Sequence, residues 1–335
     1  MKLSGITFQG ILGILVFLSS CSSDTGAPSP NEVSKVSESI VLSLNVEDLS
    51  TRADNSYKLR YVAQIFQGSS SNSWDTPESR QEIIDGESQQ NQIVFKVAAD
   101  KDYTIMVFAD YVPSTSLPTD GLYNDYFYDT HTISKSVSIL TTPGNKNNQN
   151  ISADFFNNEH YDCFYAIETF HKDQYEKVIN LTLKRVTSKV VFKDKTGTPG
   201  NYTVTVNNLS FRPRLDFGTT YTTTEMSDTE FNKGCNVSLN VVSVSSESTP
   251  LFFFYTLAQT QQKYVKATVT LSTGSNNKKT QVTDIPVRSN FQTIVTGDFL
   301  PSSTIQPGDD SQNKPGDVIL NLSTDYSWEQ SSLNK

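Results

Sequence analysis

The pattern that narrows the folds open to this chain is a period of two. From Val265 to Leu271, Val265, Ala267, Val269 and Leu271 alternate with Lys266, Thr268 and Thr270, which sends apolar and polar side chains to opposite faces of a strand. Ile40, Leu42, Leu44 and Val46 alternate in the same way, with Ser43 and Asn45 between the later three. Further short apolar runs stand at Leu59–Phe66, Ile93–Val97, Tyr103–Phe108, Cys163–Ile167 and Val178–Val186. After Val190–Phe192 they return at Tyr202–Phe211, Val237–Val244, Leu251–Leu257, Val282–Val287, Gln292–Val295 and Val318–Leu322. Turn residues such as Thr198-Pro199-Gly200-Asn201 and Gly274-Ser275-Asn276-Asn277 separate neighbours. Helical periodicity is nearly absent, so the chain reads as all-β, built of antiparallel sandwiches.

Some details follow from the same reading. A length of 335 residues suits two domains, placed here at residues 37–187 and 188–335. Ile93–Val97 and Tyr103–Phe108 read as one strand pair around Ala98–Asp102, and the polar stretch Gln67–Gln92 as a long loop. Tyr111–Thr130 holds Pro113, Pro118 and Gly121 among Tyr111, Tyr123, Tyr126, Phe127 and Tyr128. It reads as an ordered loop that packs its rings on the sandwich edge.

The N-terminus places the chain outside the cytosol. Residues 1–20 have the form of an export signal, with Lys2 ahead of a short apolar run from Ile6 to Leu18. That run falls short of the roughly 20 residues of a membrane-spanning helix. Leu18-Ser19-Ser20-Cys21 looks like a lipobox, in which the thiol of Cys21 takes a diacylglyceryl group. The expected product is a palmitate-bearing bacterial lipoprotein of the outer membrane, displayed at the cell surface on a flexible tether over residues 21–36. Cys163 and Cys235 can either pair in an oxidising compartment or stand as separate buried thiols; their apolar, strand-like surroundings favour the second reading.

Catalytic signatures are scarce. A net charge of −9 without a basic run disfavours nucleic-acid binding. His131, His160 and His171 match no zinc spacing and read as exposed loop histidines. No serine lies in a GxSxG elbow, and no glycine-rich phosphate loop is present. The chain is read as a non-enzyme without cofactor or metal.

Several segments together resemble the fimbrillin-like superfamily of type V pili. Tyr57-Lys58-Leu59-Arg60-Tyr61-Val62, followed by Ala109-Asp110-Tyr111, is similar to an early strand and the "ADY" strand end. Asp162-Cys163-Phe164-Tyr165 looks like "DAFY", with Cys for Ala. Leu181-Thr182-Leu183-Lys184-Arg185-Val186-Thr187-Ser188-Lys189-Val190 resembles "LxLxRxxAKV", with Ser188 for Ala. Arg288-Ser289-Asn290-Phe291-Gln292-Thr293-Ile294 and Gly297-Asp298-Phe299-Leu300 resemble "RNYxTxIxGxLL", with Ser289 inserted.

The resemblance implies two tandem transthyretin-like β-sandwich domains in a lipoprotein precursor. It also implies a shaft, tip or anchor subunit whose partners are other pilus subunits. In shaft members a protease cuts after an Arg and removes the first strand, and a neighbour's strand fills the groove. Here the donor-strand positions would be Ile40, Leu42, Leu44 and Val46, and the cut would fall between Arg52 and Ala53. Otherwise Ile40–Val46 stays as a permanent edge strand. A spare donor strand is expected near Val318–Leu322. The alternative is a surface lipoprotein that binds glycan or a host protein, with Tyr123–Tyr128 stacking on sugar rings.

Overall fold

The computed structural model describes residues 37–46, 55–69, 74–85, 91–148, 150–173, 177–217, 221–224, 236–239, 241–301 and 321–325. Within them the chain is nearly all strand. The first layer consists of β1 (Ser37–Val46) between β4 (Gln92–Ala98) and β9 (Lys177–Arg185), antiparallel to β4 and parallel to β9. The second is an antiparallel run in the order β3 (Ser79–Ile84), β2 (Tyr57–Gln67), β5 (Lys101–Pro113), β8 (Phe164–Lys172). Two residue pairs, Phe164 with Arg185 and Tyr165 with Lys184, join β8 to β9 and make the whole a seven-stranded sheet.

A similar plan then recurs. β10 (Thr187–Asp194) lies between β16 (Pro250–Leu257), to which it is antiparallel, and β19 (Phe291–Gly297), to which it is parallel. β20 (Asn321–Asp325) extends that sheet beyond β19. Facing strands follow as β14 (Val237–Ser238), β11 (Gly200–Ser210), β17 (Lys263–Thr273) and β18 (Asn276–Val287), with β15 (Val242–Val244) also on β11. The triplets β4-β1-β9 and β16-β10-β19 therefore share one pairing pattern, and β2-β5-β8 corresponds to β11-β17-β18. Sequence comparison of the two halves gives no hint of this repeat.

Between β5 and β8 the first half makes a long excursion over residues 114–163. The second half closes the equivalent β17–β18 hairpin through Gly274, at φ +59°, and Ser275. Strands β6 (Tyr128–Asp129) and β7 (Ser136–Ile139) of the excursion join β12 (Arg214–Phe217) and β13 (Tyr221–Thr224) in a fourth sheet.

Burial follows the alternation. In β9 Ile179, Leu181 and Leu183 point inward while Val178, Asn180, Thr182 and Lys184 face out. β2 and β5 differ: nearly every residue from Leu59 to Phe66 and from Tyr103 to Val112 is buried, so both faces of these strands are covered. Their runs are accordingly almost continuously apolar.

The structure corrects three expectations. Ile93–Val97 and Tyr103–Phe108 do not pair, because the chain turns at Asp100 (φ +55°) and crosses from the β1 layer to the β2 layer. The Asp100 N–H donates to the Lys172 carbonyl at 2.7 Å, which fixes that crossing. The polar stretch after Gln67 contains β3, whose Glu82 is buried against charged partners and so escapes a hydrophobicity pattern. Val237–Val244 is two short strands, β14 and β15. The parallel β1–β9 and β10–β19 contacts also depart from a purely antiparallel plan.

Candidate functional site: the first strand and its slot

β1 is an interior strand: Ser37–Ser43 pair with β4 and Ile40–Val46 with β9, so that Ile40–Ser43 have a neighbour on both sides. Ile40 lies between Phe95 and Lys177 and Leu42 between Ile93 and Ile179, while Val46 reaches Leu183 on β9. Ile40, Leu42, Leu44 and Val46 are all buried, the first two completely. Asn45 faces solvent, and Val41 stands half-buried between the exposed Val94 and Val178. Burying four aliphatic side chains gives roughly 6–12 kcal/mol of gross stabilisation. Taking β1 away would open a slot with an apolar floor and leave unpaired backbone groups on both β4 and β9. Such a slot is a template for an incoming strand. The reading of Ile40–Val46 as an edge strand is thus corrected for the intact chain. Cys21, Arg52 and Ala53 lie outside the described residues.

The segments quoted for the family resemblance meet at two buried polar nodes, and a third node, at Asp194, holds the last of them. In the first, Arg60 is fully buried and donates to Asp110 through Nε at 2.9 Å and Nη2 at 2.8 Å. It also reaches Asp125 at 3.0 Å, the Tyr123 carbonyl at 3.1 Å and Glu82 at 3.4 Å. Burial works against the guanidinium charge, but Asp110, Glu82 and Asp125 together hold Arg60 above its ordinary pKa. Burial pushes the Asp110 carboxyl up to about 6 against the pull of Arg60.

In the second node Arg185 Nε donates to both oxygens of Asp162, at 2.9 and 3.0 Å. Its Nη1 donates to Asn290 Oδ1 at 2.7 Å, and Thr187 Oγ1 donates to Asp162 at 2.7 Å. The Arg185 guanidinium also lies 5.1 Å from the centre of the Phe164 ring. Residues 162, 185 and 290 are thereby drawn together across the chain. In the third node the buried Asp194 caps its own turn, accepting from the N–H groups of Thr196 at 2.8 Å and Gly197 at 3.1 Å. Its other oxygen accepts from Phe299 N at 2.7 Å and Leu300 N at 3.0 Å. Burial opposes the charge, but the Thr196 hydroxyl and the N–H groups of Phe299, Thr196 and Leu300 hold the Asp194 carboxyl below its usual range.

The 111–130 segment is ordered and packs inward. Phe127 and Tyr128 are fully buried, and the Tyr128 hydroxyl donates to the Tyr161 carbonyl at 2.5 Å. Tyr128 therefore has no face to offer a sugar, whereas Tyr123 and Tyr126 are half-buried. His160, expected on the surface, is buried with its ring 4.1 Å from that of Tyr57 and near Tyr111 and Phe127. Its aromatic neighbours lie far away in sequence, so no local pattern exposed its place. His131 and His171 are exposed. Cys163 is a free, fully buried thiol, and burial raises its pKa well above the ordinary value. Cys235 lies outside the described residues. Among the described residues no three His, Cys, Asp or Glu side chains are grouped to hold a metal. The expected C-terminal donor strand corresponds in part to β20, which begins at Asn321 and pairs with β19 of its own sheet.

Fold and site define a class: an all-β chain of repeated sandwich plan, with its first strand seated between two others. The chain belongs to DUF6562, a family of unknown function, whose profile matches residues 30–330. No curated protein matches it. Among similar solved structures is the fimbrial anchor protein Mfa2 from Porphyromonas gingivalis, with 13% identity over 87% of this chain and 100% of that one, at a TM-score of 0.44. The tip fimbrial protein Mfa3 from the same organism shares 9% identity over 86% of this chain and 99% of that one, at 0.41. A fimbrial assembly protein from Parabacteroides distasonis shares 11% over 80% and 92%, at 0.36. These scores mark a loose likeness.

Proposed function

We propose that this chain is a subunit or anchor of a cell-surface pilus, tethered to the outer membrane through an acylated Cys21 and joined to neighbours by exchange of its first strand. It acts in binding and assembly, without catalysis. The observation that carries this reading is the seat of β1. A strand held in the interior by two partners, with the lipobox before it and Arg52 soon after, can be exchanged as a unit. In the same reading residues 37–187 and 188–335 are two sandwich units, linked at the Arg185 node.

The N-terminus of the protein on native cells tests it. Intact mass should give either a chain starting at Ala53, as for a strand-exchanging shaft subunit, or a full chain with acylated Cys21, as for an anchor. A mature chain that begins at neither residue would sink the proposal.

A further inference from the structure

We propose that the excursion between β5 and β8 builds a binding cleft for a neutral carbohydrate. The cleft has a volume of about 960 Å³ and lies beside the Arg60 node, between β2, β3 and the excursion. The corresponding hairpin of the second half, β17–β18, has only a tight turn there, so the sandwich plan itself does not require these residues.

The lining chemistry selects the ligand class. Charged side chains at the wall already have partners: Arg80 with Glu82 at 2.5 Å, Lys146 with Asp125 at 2.6 Å and Asp75 with Lys135 at 3.1 Å. An anion would have to break one of these pairs to be recognised. Besides the exposed imidazole of His131, what remains is neutral: the half-buried rings of Tyr123 and Tyr126, the exposed Leu122, and the hydroxyl groups of Thr115, Ser116 and Thr119. Gln64 also lines the cleft; it is 2% exposed, and its Oε1 has no hydrogen-bond partner among the described residues. Buried acceptors of this kind call for a donor. A sugar supplies hydroxyl donors together with an apolar ring face that rests on tyrosine. The site is separate from the β1 slot, so a chain defective in assembly would still bind.

Affinity electrophoresis of the leaderless full chain, in gels carrying soluble mannan, xylan or mucin, tests the proposal. Retardation is expected in at least one of them. Thr119→Trp, at an exposed position on the rim, should fill the cleft and weaken retardation at least tenfold while thermal unfolding is unchanged. Tyr126→Ala should weaken it in the same direction. Equal retardation of wild type and Thr119→Trp would overturn the proposal. So would the absence of retardation in every gel, or retention that inorganic phosphate abolishes.

Discussion

Arg185 and Asp162 form a buried ion pair in which one Nε–H is shared between both carboxylate oxygens, at 2.9 and 3.0 Å. The pair stands where β9 leaves the first set of strands, and Asn290, in the turn just before β19, closes it from the other side. Removing one member would leave the other charged and buried. Arg185→Leu should therefore cost about 3–5 kcal/mol. Asn290→Ala, which removes one hydrogen bond to a charged group and places alanine at φ +62°, should cost about 1.5–3 kcal/mol. Denaturant unfolding of the two variants measures the difference; equal and negligible losses would mean the node does not hold the halves.

Asp194 offers a second check. Its two oxygens serve the N–H groups of Thr196, Gly197, Phe299 and Leu300 and the Thr196 hydroxyl, so Asp194→Ala strands five donors at once. A loss of about 2–4 kcal/mol is expected, since each buried donor left without a partner costs on the order of 1–3 kcal/mol and some will be re-solvated. Hydrogen exchange should rise at Phe299 and Leu300 before the strand interiors respond.

Acid should act on the Arg60 node in two opposed ways. At Asp125 burial works against ionisation, but Arg60, Lys146 and Thr130 outweigh it and bring the carboxyl down to about 2. Its contribution is present above the ordinary carboxylate value of about 4 and is lost as pH falls towards 2, amounting to about 2 kcal/mol. Asp110, raised to about 6 by burial, works in the other sense: its contribution is full below about 4 and is lost as pH rises through 6. Unfolding free energy followed from pH 7 to pH 2 should fall on the acid limb, and Asp125→Asn should flatten that limb. An unchanged acid limb in Asp125→Asn would remove the assignment.

Cys163 should be inert while the chain is folded. Its thiol is fully buried and held protonated by burial, and the thiolate is the reactive form. In a Cys235→Ser background, iodoacetamide should label position 163 only above the unfolding midpoint. Labelling at the rate of an open thiol in native buffer would show that the Tyr128–Tyr161 region opens freely.

How much of this was legible in the sequence depended on where each residue's partner lay. Ile40–Val46 and Val265–Leu271 were readable because alternation is a local property, and burial bears it out at Ile40, Leu42, Val265 and Val269. β3 was missed because its inward-facing Glu82 is polar, and its charge is answered by Arg60 on β2 and by Arg80 two residues earlier on β3 itself. Asp110, Asp162, Arg185 and Asn290 could be quoted as motif letters, but nothing local tells that they are buried nodes. Asp162 and Asn290 are joined through Arg185, which stands 105 positions before the asparagine. The interior seat of β1 was equally hidden, since a half-buried strand reads alike at an edge or in the middle of a layer. The aromatic excursion was recognised as packed, but the burial of His160 and Tyr128 depends on contacts that fold back from Tyr57 and Tyr161.

The slot beneath β1 supports the most direct experiment on assembly. In the intact chain Leu42→Ala should cost about 2–5 kcal/mol, as expected for a fully buried leucine. Asn45→Ala, on the exposed side of the same strand, should change stability by less than about 0.5 kcal/mol. Cleavage after Arg52 should leave β1 bound by pairing and burial alone, with no covalent tie across the cut. A synthetic peptide spanning Ser37–Val46 should then exchange into the cut chain, measured by fluorescence anisotropy of a labelled peptide. A Leu42→Asp peptide should bind at least tenfold more weakly, because a carboxylate would be driven into the floor between Ile93 and Ile179. If both peptides bind alike, the incoming strand is not reading the apolar floor. If neither enters the cut chain even at high peptide concentration, β1 is a permanent part of the sandwich and the proposed strand exchange fails.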